Sequence, residues 1–145
     1  MASKGNWHEL LKSELMTFWS DRRPKSMRIA VEPALRLGPY DEPEPDIILF
    51  PESITVNAVR GDTVLLVVEI SDTSLAMDLT VKAALYAHFG VREYWVIEPR
   101  KRVTHIHREP GPEGYGSVVK VTAKRRVEPL AAPSLGLCLG DLRTE

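Results

Sequence analysis

Apolar and polar positions follow two rhythms along the chain, one near 3.6 residues and one of two, with unbroken apolar runs between them. From Trp7 to Trp19 the period is helical. Trp7, Leu10, Leu11, Leu15 and Phe18 share a face, and Asn6 is placed to cap the first turn. Asp21 to Ser26, with Pro24 inside it, ends that helix. Arg28 to Leu37 alternates, with Ile29, Val31, Leu35 and Leu37 on one side, which predicts a strand. Gly38 to Pro45 is a turn rich in proline and acid, and Asp46 to Phe50 is a short apolar strand stopped by Pro51. In the Ser53 to Thr63 connection, Arg60-Gly61-Asp62 reads as a turn rather than an adhesion motif.

The run Val64 to Ile70 predicts a strand covered on both faces, with Glu69 near its end. Leu75 to Phe89 returns to the helical period and stops at Gly90, after Ser71-Asp72-Thr73-Ser74 has supplied turn and cap chemistry. Leu75, Leu79, Tyr86 and Phe89 lie on one narrow face, and Lys82 sits at its centre. Glu93 to Glu98 is another apolar strand, closed by Pro99. Val103 to Arg108 and Tyr115 to Val121 flank a glycine- and proline-rich loop and predict a hairpin, and the apolar tail Pro129 to Leu142 reads as a loop packed back on the domain. A strand–helix–strand unit from Val64 to Ile97 implies a right-handed crossover between parallel strands, whereas the shorter earlier connections suit antiparallel pairs. The expected fold is therefore α/β, a mixed sheet with helices against it, in a single domain spanning residues 1–145.

Composition changes this picture little. With 43% hydrophobic and 27% charged residues the chain is an ordinary globular one, and its net charge of −1 carries no polyanion signature. Nucleic-acid binding would have to use local patches such as Arg100-Lys101-Arg102 and Lys124-Arg125-Arg126, although a basic run is commonly only a solvated loop. One cysteine, Cys138, excludes an internal disulfide and fits a reducing compartment. No apolar run is long enough for a bilayer, and Met1 to Trp7 lacks a signal-peptide core, so a cytoplasmic protein is expected. His105 and His107 share a strand face without an evident third ligand, His8 and His88 read as surface or packing residues, and neither a phosphate loop nor a nucleophile elbow is present.

The chemistry centres on Lys82. A charge in a core stripe costs on the order of several kcal/mol unless it is paired. Its plainest partner is Asp78, one helical turn earlier, with the stem buried and the amine reaching outward. A richer reading adds Asp46, which opens a strand after Pro45, and Glu69 at the end of a neighbouring strand. Two carboxylates brought together attract a hard cation such as Mg²⁺ or Mn²⁺, and the carbonyl of Ile70 is placed to add a main-chain ligand. Such an ion polarises a phosphoryl oxygen and acidifies bound water, while a nearby lysine orients or deprotonates that water or neutralises developing charge.

Pro45-Asp46 before an apolar strand, Val67-Val68-Glu69-Ile70-Ser71, then Thr73, Asp78, Lys82, Tyr86 and the run Gly90-Val91-Arg92-Glu93-Tyr94-Trp95-Val96-Ile97-Glu98-Pro99 together resemble the Uma-two family of the PD-(D/E)xK nuclease superfamily. The resemblance implies a restriction-endonuclease-like fold and metal-dependent hydrolysis of DNA, with Asp46 and Glu69 as metal ligands and Lys82 as the catalytic lysine. It also implies a homodimer, because cutting both strands calls for two sites. Two departures stand out. The superfamily lysine lies two residues after the acid, where this chain has Ser71; the Uma-two family is understood to have moved it to the helix, where Lys82 stands. Many relatives also carry a leading segment with its own acid, whose place Glu14 or Glu32 would have to take here. A non-catalytic binding or assembly module on the same fold is the alternative, favoured by the neutral charge and the missing acid.

Overall fold

The computed structural model describes residues 4–144. Among these, six strands form one mixed sheet in chain order: β1 Met27–Val31, β2 Ile47–Pro51, β3 Leu66–Ile70, β4 Glu93–Glu98, β5 Val103–Pro110 and β6 Tyr115–Val121. Within the sheet β3 and β4 run parallel, with Val67 opposite Tyr94 and Ile70 opposite Ile97; the other neighbouring pairs are antiparallel. Helix α1, Lys4–Arg22, precedes the sheet, and α2, Leu75–Leu79, and α3, Val81–His88, make the crossover between the parallel strands.

Side-chain alternation along the strands divides the core in two. On one face Ile47, Leu49, Leu66, Val68, Ile70, Trp95 and Ile97 pack against Leu11, Leu15 and Trp19 of α1. On the other, Ile48, Phe50, Val67, Tyr94 and Val96 pack against Ala83 and Tyr86 of α3. β3 is buried throughout, as its unbroken apolar run requires. Each large aliphatic side chain so enclosed contributes about 1.5–3 kcal/mol of transfer free energy. The tail completes the first layer: Trp19 Nε1 donates to the Leu135 carbonyl at 2.9 Å. There β7, Arg126–Val127, pairs with β8, Leu137–Cys138, so this segment holds a small ladder where a plain loop was expected.

Three other expectations are corrected. Asn6 lies inside α1 rather than capping it, since the helix begins earlier. β1 ends at Val31, because Glu32 adopts φ +52° and Pro33 follows without an N–H to extend the ladder. Leu35 and Leu37 are buried from a loop against the α3 layer, while Ile29 packs on the α1 side and Val31 is largely exposed. The helix expected over Leu75–Phe89 is two helices, broken at Thr80 with φ −119° and ψ −79°. Thr80 Oγ1 turns back to the Ala76 carbonyl at 2.6 Å, a local bond that competes with the helical ladder.

The Arg60-Gly61-Asp62 triplet is a turn, closed by Thr63 N–H and Val64 N–H on the Arg60 carbonyl. A Cβ at Gly61 would collide with the carbonyl oxygen of Phe89, so that glycine lets the turn press on the end of α3. No helix among the described residues is long and apolar enough to cross a membrane.

Candidate active site

Asp46 immediately precedes β2, and Glu69 is the fourth residue of β3. The antiparallel register that pairs Ile47 with Val68, continued by one residue, sets Asp46 beside Glu69. Lys82 reaches the same place from the first turn of α3. All three, with the backbone of Ile70, line one open cleft of about 390 Å³, together with His8, Glu44, Asp72, Thr73, Ser74 and Asp78. The sequence-derived residues thus occupy one place.

Each is held by identifiable partners. Ile70 N–H donates to Asp46 Oδ2 at 2.7 Å, and His8 Nε2 lies 3.0 Å from Asp46 Oδ1. Glu69 Oε2 accepts from Lys82 Nζ at 3.3 Å and from Tyr86 Oη at 3.2 Å. Lys82 Nζ is also 3.3 Å from Asp78 Oδ1, so the plain ion pair and the richer cluster coexist. Asp78 Oδ2 accepts from Ser74 Oγ at 2.8 Å, and Tyr94 Oη donates to the Asp78 carbonyl at 2.9 Å.

Burial and neighbouring charges shift the protonation equilibria in opposing directions. The Glu69 side chain is 6% exposed, and desolvation pushes its carboxyl up to about 7. Lys82 opposes that rise, while the charges of Asp46 and Asp78 reinforce it. Burial pulls Lys82 down, but Glu69 and Asp78 outweigh it and leave the ammonium held above its ordinary value. His8 is raised chiefly by its hydrogen bond to Asp46, against its own desolvation. Tyr86 is pushed up by burial and by Glu69, so it remains a neutral phenol that donates to the carboxylate.

The donors suit a hard divalent cation. Asp46, Glu69, Asp72 and Asp78 crowd a cleft that Lys82 and His8 also line, and Asp72 Oδ2 and Asp78 Oδ1 are buried without hydrogen-bond partners. A cation would relieve that excess of negative charge. Among the described residues no group of three or more His, Cys, Asp or Glu is gathered to hold a metal.

Several residues stand elsewhere than expected. Glu14 is bound to Arg143 at 3.0 Å and Glu32 to Lys12 at 2.7 Å, and neither lines the cleft. His8, read as a surface or packing residue, is a site residue; its one available signal was its place at the border of the α1 apolar stripe, one turn before Leu11. Glu44 and Asp72 also line the cleft unanticipated. Arg102 is buried and spends its guanidinium on the carbonyls of Pro99, Leu139 and Arg143, so it is structural. Arg100 remains exposed near the site, its guanidinium 5.9 Å from the Trp7 ring and 3.9 Å from Asp72. His105 pairs with Glu98 at 2.8 Å, while His107 contacts the Tyr94 carbonyl at 3.1 Å.

The six-stranded mixed sheet with helices on both faces is a restriction-endonuclease-like fold. The chain belongs to the Uma2 family, described as "Putative restriction endonuclease", which matches residues 1–140. A solved structure of a "putative nuclease belonging to DUF820" from Anabaena variabilis ATCC 29413 superposes with a TM-score of 0.71. It shares 17% identity, and the match covers 97% of this chain and 80% of that one. No curated protein matches the chain.

Proposed function

We propose that the protein is a divalent-metal-dependent endonuclease that hydrolyses DNA phosphodiester bonds in the Asp46–Glu69–Lys82 cleft. The observation that carries this reading is the placement of the Lys82 amine 3.3 Å from Glu69, in a cleft that Asp46 also lines. Asp46, Glu69 and the Ile70 carbonyl are the residues that would hold Mg²⁺ or Mn²⁺. When bound, the ion supplies Lewis acidity toward a phosphoryl oxygen and lowers the pKa of water. The chain's own groups do the positioning. His8 and the Ile70 N–H fix the plane of the Asp46 carboxylate, and Tyr86 fixes Glu69. Lys82, held as an ammonium, sits where negative charge develops on the phosphate. Duplex cleavage calls for two such sites, and a homodimer supplies them. A cytoplasmic setting accords with a DNA substrate and the unpaired Cys138.

Lys82→Ala tests the reading directly. Metal-dependent nicking of a supercoiled plasmid should fall by about 10³-fold or more, with the circular-dichroism spectrum unchanged. Cleavage at the wild-type rate would refute the assignment.

A second reading is a non-catalytic module on the nuclease fold. The acidic cleft lining favours it, since such a lining repels a polyanion when no metal is bound. Calorimetric titration with Mn²⁺ separates the two. A nuclease binds the ion and loses the heat on Asp46→Asn, whereas a module shows no heat even with DNA present.

A further inference from the structure

Asp78 is buried at the cleft and has no role in the scheme above. Its side chain is 3% exposed, yet Oδ1 has no hydrogen-bond partner and lies at ion-pair distance from a lysine that is 36% exposed. Removing a carboxylate from water costs stability unless both oxygens are satisfied, and here one is satisfied only by charge. A surface ion pair one helical turn apart would need none of this burial. The two residues stand four apart in sequence, but the helix breaks at Thr80 between them. Two anchors fix Asp78 instead: Ser74 Oγ on Oδ2, and Tyr94 Oη on the main-chain carbonyl. Tyr94 is itself fully buried and packs against Tyr86, the residue that holds Glu69, with the two rings tilted by 45° and their centroids 4.8 Å apart.

We propose that Asp78 is a positioning residue whose buried carboxylate holds the Lys82 amine against Glu69 at the cleft. The Ser74 hydroxyl sets the carboxylate's rotation. The joint at Thr80 lets α3 aim the lysine at the end of β3 while α2 keeps its anchor inside the fold. The catalytic consequence rests on the nuclease reading, whereas the placement of the lysine does not.

The test therefore has two readouts. The first ignores cleavage: the rate of reductive methylation of the Lys82 amine, followed by peptide mass spectrometry. An amine clamped between two carboxylates reacts slowly, and Asp78→Asn, which keeps an acceptor for Ser74, should speed its labelling about fivefold or more relative to exposed lysines. The second is a double-mutant cycle on cleavage. Asp78→Asn should lower kcat about 10–100-fold with KM changed less than about threefold, and should add almost nothing in a Lys82→Ala background. Ser74→Ala, which leaves both charges in place, should move both readouts in the same direction by less, and it serves if Asp78→Asn does not fold. Unchanged labelling in folded Asp78→Asn and Ser74→Ala overturns the proposal whatever the enzyme does. Losses that multiply in the double variant overturn it too, because Asp78 would then act independently of the lysine. If Lys82→Ala cleaves normally, the nuclease reading falls, and the labelling alone still decides where Asp78 holds the amine.

Discussion

Two buried glutamates lie on the two parallel strands, and they are held in opposite ways. Glu93, at the start of β4, is fully buried, and both of its oxygens are engaged. Trp95 Nε1 donates to Oε2 at 2.9 Å, Arg108 meets the same oxygen at 2.7 Å, and Leu130 N–H donates to Oε1 at 2.8 Å. Glu69, on β3, has contacts of 3.2 and 3.3 Å, both to one oxygen, and its carboxyl is pushed up to about 7. The first arrangement ties strand β4, strand β5 and the tail segment together. The second leaves a carboxylate half-committed to protein partners and able to take another. Glu93 is saturated by the fold itself, whereas Glu69 keeps one oxygen without a protein partner at the edge of a cleft, where a further ligand could meet it.

Removing the saturated acid should cost the most. Glu93→Ala strands the Arg108 guanidinium and two N–H donors, so urea denaturation should show a loss of about 3–5 kcal/mol, with cleavage per folded molecule retained. A neutral effect on stability would erase the contrast. The unsaturated acid should respond with the opposite sign. Glu69 rises from 4.5 to about 7 on folding, so the folded protein binds the extra proton between those values. Its contribution to stability is therefore best below pH 4.5, declines as pH rises through about 7, and is flat above. Glu69→Gln should remove that decline, raising stability at pH 8 relative to pH 5 by at most about 3 kcal/mol while abolishing cleavage. Equal stability–pH curves for the variant and the wild type would refute this. Asp46 stands between the two cases, with both oxygens engaged but its side chain 14% exposed. His8→Ala should leave stability nearly unchanged and weaken Mn²⁺ binding about tenfold by calorimetry. An unaltered affinity would show that the Ile70 N–H alone orients the carboxylate.

How much of this was legible in the sequence depended on how local its cause was. Unbroken apolar runs and turn residues placed β4 and β6 with the observed boundaries, and the expected β3 began only two residues early. Lys82 drew notice because a charge inside an apolar stripe is a purely local contradiction. The break at Thr80 was hidden, since apolar positions keep their helical spacing across it and only the hydroxyl's bond to Ala76 reveals it. Leu35 and Leu37 carried a strand's alternation but serve a loop, because the turn at Glu32 sends them to the opposite layer. His8 reaches the cleft only through a contact between the start of α1 and the residue before β2, which no window along the chain contains. Arg102 read as part of a basic run and is instead a buried fastener for the tail.

The strand β3 is also where the sheet changes direction, with an antiparallel neighbour on one side and a parallel one on the other. The cleft at its carboxyl end is bordered by Glu44, from the segment 38–45 before β2, and by Asp72, Thr73 and Ser74, from the segment 71–74 before α2. Those two segments lie outside the sheet's six strands. The fold therefore keeps its framework and the margins of the cleft in separate stretches of sequence, so a change in those margins need not disturb the register that sets Asp46 beside Glu69.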